Sequence, residues 1–118
     1  MPPKELIDKV DAAMERLASW KGHLVKITES LSRSRNLPCP HDRHFATHAS
    51  FTMRLDNFML AISGTRMSLT GTSGDSPASY ELTLDRVVVI DNTDPDAIVI
   101  VEHFEQETER ESTFRRQG

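Results

Sequence analysis

From Lys4 to Leu31 apolar residues recur at Leu6, Val10, Ala13, Leu17, Trp20, Leu24, Ile27 and Leu31, at alternating spacings of four and three. Such spacing marks one face of an α-helix. It predicts a long amphipathic N-terminal helix over residues 4–31, ~40 Å long at ~1.5 Å per residue, with Gly22 as the point where it would kink or divide. Pro2 and Pro3 precede it, and Glu5 and Asp8 set negative charge near the positive end of the helix dipole. Ile7, Met14 and Val25 widen the apolar stripe, which suits packing across a sheet. The heptad-like seam also suits a coiled coil, so both partners stay open.

Residues 32–44 carry Ser, Arg, Asn and two prolines and read as a loop. Over residues 45–64 two patterns compete. Phe51, Leu55, Phe58 and Ile62 fit a helix ended by Gly64, the favoured reading, while Phe51, Met53 and Leu55 alternate like a strand in a hairpin turning at Asp56 and Asn57. Alternation around Met67 and Leu69 predicts a further strand, and residues 71–77 have the composition of a loop. Tyr80, Leu82 and Leu84 lead into the run from Val87 to Ile90, and Ile98 to Val101 forms a second β-branched run. The polar segment from Asp91 to Asp96 joins them as an antiparallel hairpin. Residues 108–118 read as a charged tail with Phe114 as its one large apolar residue. The pattern predicts one α+β domain: a long helix, with or without a second, on an antiparallel sheet in the C-terminal half.

Period two places Ile98, Ile100, Glu102 and Phe104 on one face of the last strand, and Val99, Val101 and His103 on the other. His103 thus ends an apolar row and is a candidate polar group at a pocket mouth. With His48 and Asp56 it makes up the candidate catalytic set, each residue being able to move a proton. Cys39, His41, Asp42, His44 and His48 are the densest group of potential metal ligands. Without a second cysteine pair or a His-Glu-x-x-His pattern they read as surface and capping residues, and no metal or cofactor is expected. Phosphate-loop, dinucleotide-turn and nucleophile-elbow motifs are missing, which disfavours nucleotide-driven chemistry.

Composition narrows the partners. A net charge of -4 argues against nucleic acid, whose non-specific binding needs clustered Lys and Arg. No secretory apolar segment follows Met1 and no run approaches ~20 apolar residues, so a cytoplasmic protein without a membrane partner is expected. The single cysteine, Cys39, forms no internal disulfide.

The stretch YELTLDRVVVIDNTDPDAIVIVEHFEQE, from Tyr80 to Glu107, resembles the hairpin of nuclear transport factor 2-like proteins of the SnoaL type and spans about a quarter of the chain. The resemblance implies helices packed into a curved antiparallel sheet around a cone-shaped cavity. Such proteins serve as polyketide cyclases, isomerases, hydrolases, or non-catalytic binding and dimerisation modules. They usually continue through further strands after the hairpin, and the motif transfers no catalytic residue. Two functional expectations follow. One is a domain binding a small apolar ligand, extending to cofactor-independent cyclase or isomerase activity. The other is a non-enzymatic interaction module, with a homodimer as the expected assembly.

Overall fold

A computed structural model describes residues 4–33, 45–60, 66–104 and 108–117. Helix α1 (Lys4–Ser19) is followed by strands β1 (Leu24–Arg33), β2 (Phe45–Leu60), β3 (Arg66–Ser73), β4 (Ser76–Thr83), β5 (Val87–Asp91), β6 (Ala97–Phe104) and β7 (Thr108–Gln117), with a one-turn 3-10 helix at Leu84–Arg86. The strands form one seven-stranded sheet in the order β4-β3-β2-β1-β7-β6-β5, antiparallel throughout. The α+β class stands, with one helix packed on a large antiparallel sheet.

The helix expected over residues 4–31 ends at Ser19, after 16 residues. Trp20 and Lys21 close the last turn by donating to the carbonyls three residues back, on Leu17 and Ala18, and Gly22 takes a left-handed φ of 90°. Glycine adopts that geometry without a Cβ clash and so ends a helix readily. Beyond it the chain is extended, with β-branched Val25 and Ile27 buried and Leu24 exposed. Period two thus replaces the heptad-like spacing. Within residues 4–20, Ala13, Met14, Leu17 and Trp20 enter the core, with Leu6 and Val10 packed at its margin.

Residues 45–60 are neither helix nor hairpin but one 16-residue strand. Phe45 to Arg54 pair with β1, and Arg54 to Leu60 pair with β3. The shift of register between Leu55 and Asn57 makes Asp56 the extra residue of a β-bulge rather than a turn residue. Residues 71–77 are not all loop: β3 runs to Ser73, β4 starts at Ser76, and the turn is only Gly74 and Asp75. A Cβ on Gly71 would stand 1.7 Å from the Arg54 carbonyl oxygen, so the close pass of β3 against β2 there requires glycine.

The predicted hairpin is present as β5 and β6, with Ile90 opposite Ile100. The turn at residues 84–86, however, splits the run that began at Tyr80, sending β4 and β5 to opposite ends of the sheet order. The expected polar tail is strand β7, which lies between β1 and β6 and fully buries Phe114. It escapes notice as a strand because its outward residues, Glu109, Glu111 and Arg115, dominate its composition.

The α1 end is secured by Arg16. Its guanidinium donates to the carbonyls of Asp94 (2.8 Å) and Pro95 (2.7 Å) and to Asn92 Oδ1, and it lies 5.5 Å from the Trp20 ring. One helical cation thereby organises the β5–β6 turn, which Arg116 also binds through Asp96 (2.7 Å).

Candidate functional site

The inward face of the sheet turns polar toward the ends of β1 and β6 that lie away from α1. On β1 the buried row of Val25 and Ile27 continues to Glu29, and on β6 that of Ile98 and Ile100 continues to Glu102. On β7, Phe114 is preceded on the same face by Ser112 and Arg110. The register sets these side chains against one another, with Glu102 directly opposite Arg110 and Glu29 directly opposite Ser112.

Arg110 grips Glu102 with two parallel bonds, Nε to Oε1 at 2.8 Å and Nη2 to Oε2 at 2.9 Å. This fork geometry is the strongest way to pair a carboxylate. Nη2 also donates to the Glu81 carbonyl at 2.8 Å, and the Thr83 N–H donates to Glu102 Oε2 at 2.7 Å. Glu29 stands 3.6 Å from Arg110 Nη1. The Tyr80 hydroxyl donates to Glu29 Oε2 at 3.0 Å and shares a 2.6 Å hydrogen bond with the Ser112 hydroxyl. Aromatic rings enclose the group: Arg110 lies 5.4 Å from the Tyr80 ring and 5.7 Å from that of Phe104, and Tyr80 meets Phe114 edge-on at 5.7 Å.

These contacts locate β4. Four places separate β4 from β7 in the sheet order, or about 19 Å for a flat sheet at the usual strand spacing. Tyr80 nevertheless touches Ser112, so its side chain reaches the inward face of β7.

Glu102 and Ser112 are fully buried. Arg110 and Glu29 reach solvent, their side chains retaining 20% and 31% of their exposure. Burial pulls the Arg110 guanidinium down, but the hydrogen bonds and charge of Glu102 outweigh it and hold the group above its ordinary value. Burial pushes the Tyr80 phenol up to about 12, against the lowering effect of Ser112, so it remains a neutral hydroxyl at physiological pH. Two carboxylates thus share one guanidinium. Among the described residues no buried side-chain polar atom lacks a partner.

The residues singled out from sequence lie elsewhere. His48 is exposed on β2 opposite Ser30, Asp56 is exposed at the bulge, and His103 is exposed on β6 opposite Glu109. No hydrogen bond or ion pair among the described residues joins any two of them. Cys39, His41, Asp42 and His44 fall outside the described residues, among which no metal-ligating cluster occurs. His48 belongs to strand β2, not to the helix favoured for residues 45–64. The polar cluster was missed although its signal was present: Glu102 shares the face of Ile98, Ile100 and Phe104, and Arg110 and Ser112 alternate into Phe114.

A second surface feature is an open groove of about 490 Å³ lined by Lys9 and Val89 to Thr93. It adjoins the exposed Val88 and Val89 of β5. No helix among the described residues is long and apolar enough to cross a membrane. No protein-family model matches the chain, and neither a curated protein nor a solved structure matches it significantly.

Proposed function

We propose that this chain is a small-molecule binding domain whose ligand enters where Glu29, Tyr80 and Arg110 meet. The carrying observation is the graded interior. One end is a packed apolar core to which α1 contributes Ala13, Met14 and Leu17, whereas the other holds a hydrogen-bonded polar cluster with two members, Glu29 and Arg110, reaching solvent. Binding sites commonly take this form, an apolar lining with a few fixed polar groups. The reading takes the sheet to be curved about that interior, which the contact of Tyr80 with Ser112 supports. It agrees with the helix-first, sheet-later order of the chain, which is similar to that of the SnoaL type.

Binding is favoured over turnover. Glu102 is spent on Arg110 and Thr83, and Tyr80 is a neutral hydroxyl, so neither stands ready as a base. Backbone amide shifts on addition of a panel of small amphiphiles test the proposal. Shifts concentrated at Glu29, Tyr80, Arg110 and Ser112 support it, whereas shifts confined to the groove at Lys9 and Val89 would transfer the site there.

A second reading, self-association, is favoured by one observation. Val88 and Val89 retain 48% and 51% of their exposure on β5, an end strand of the sheet order. Exposed apolar edges invite pairing with another chain.

A further inference from the structure

Resting on the binding reading, we infer that the ligand is an organic cation, an ammonium or amidinium group on an apolar body. The argument is one of charge and of unspent bonding capacity. Glu29, Glu102 and Arg110 together carry two negative charges and one positive. Arg110 gives Nε and Nη2 to Glu102 and Glu81, leaving only Nη1 toward Glu29, at a distance too long for a direct hydrogen bond. Glu102 is bound on both oxygens and fully buried. The surplus negative charge therefore resides at Glu29, the member of the cluster with most access to solvent. Of its two oxygens, Oε2 accepts from Tyr80, and Oε1 enters none of the hydrogen bonds among the described residues.

Partial burial makes a carboxylate that only shares a counter-charge unfavourable, and a ligand cation relieves that penalty while an anion adds to it. Arg110 does not reverse this preference, since its charge is already matched by Glu102. The phenol of Tyr80 adds no charge of its own. The surroundings of Glu29 suit the rest of such a molecule. Leu31 follows on the same face of β1, and the ring of Tyr80, whose hydroxyl holds Glu29, lies 6.3 Å from that of the half-buried Phe51. The Phe51 ring next to Tyr80 favours an organic cation over a bare metal ion, because a phenyl face attracts a cation through its quadrupole and offers no ligating atom.

The test uses three probes with a common body and different heads, namely 2-phenylethylammonium, 3-phenylpropionate and 3-phenylpropanol, titrated into the whole chain at neutral pH with amide shifts as readout. The ammonium is expected to bind at least roughly tenfold more tightly than the other two, with shifts at Glu29 and Ser112. In the Glu29→Gln variant that preference should vanish while the thermal midpoint stays near that of the parent, since the amide oxygen still accepts from Tyr80. Equal or tighter binding of the alcohol or carboxylate at the same residues overturns the charge assignment and leaves the site in place. An unchanged preference in Glu29→Gln also overturns it. Failure of all three probes to bind overturns the binding reading as well.

Discussion

Glu102 and Arg110 stand directly opposite each other on β6 and β7, and together they bond the backbone of β4 at Thr83 and Glu81. Alternate residues of a strand present their N–H and C=O groups to the same side, so Glu81 and Thr83 offer theirs at one edge. The ion pair occupies the place a neighbouring strand would take. Two charged side chains thus tie β4 to β6 and β7, which no backbone ladder among the described residues joins to it.

That dependence predicts strong coupling. Removing one partner of a buried pair strands the other, at a cost of about 3–5 kcal/mol. Glu102→Leu and Arg110→Leu should each destabilise the fold by that order, and the double variant by clearly less than the sum, as urea unfolding would measure. Additive losses would mean that the pair does not act as a unit.

Tyr80 is the only tyrosine, so its ionisation can be followed by tyrosinate absorbance. Burial raises its folded value to about 12 from 10.0, so the folded state holds the proton more firmly. Below pH 10 both states are protonated and the contribution is complete. Above it the unfolded chain ionises first, and about 2–3 kcal/mol should be lost by the time pH passes the folded value. Alkaline unfolding with a delayed tyrosinate signal is expected in the parent. Tyrosinate appearing near pH 10 in the folded protein would refute the buried placement.

How much of this was legible in the chain depends on which periodicity each segment obeys. The β5–β6 hairpin was readable because β-branched runs flank a turn rich in Asp and Pro. Leu24, Ile27 and Leu31 misled because their helical spacing coincides with a strand whose buried residues are Val25 and Ile27. Strand β7 was hidden by its charges, and with it half the site, since Arg110 and Ser112 acquire meaning only once β7 is known to pair with β1 and β6. Titratable side chains drew attention to His48, Asp56 and His103, but burial selects the polar cluster, and burial is set by long-range register that local pattern does not contain.

Two glycines distinguish kinds of backbone constraint. Gly22→Ala meets no atom and has only its left-handed φ to overcome, a loss of about 1 kcal/mol. Gly71→Ala drives a Cβ into the Arg54 carbonyl, and separating β3 from β2 should cost ~3 kcal/mol. Thermal melts of the two variants should therefore differ by several degrees, Gly71→Ala being the lower. Equal midpoints would show that the close pass at Gly71 is wrong.

Self-association, if it occurs, should run through β5. Val87 and Ile90 are buried against the core, while the register shift between Val87 and Val89 leaves consecutive valines, Val88 and Val89, exposed. Strict alternation would have hidden one of them. A five-residue strand with a bulge is a poor template for extended pairing, so the contact should be weak and rest on apolar burial more than on a ladder. Light scattering over a concentration series should then show a mass that rises with concentration. Val89→Lys should hold it at the monomer without lowering the melting temperature, because the side chain already faces water. A parent that stays monomeric at every concentration removes the second reading, and a Val89→Lys variant that still associates moves the contact to another surface.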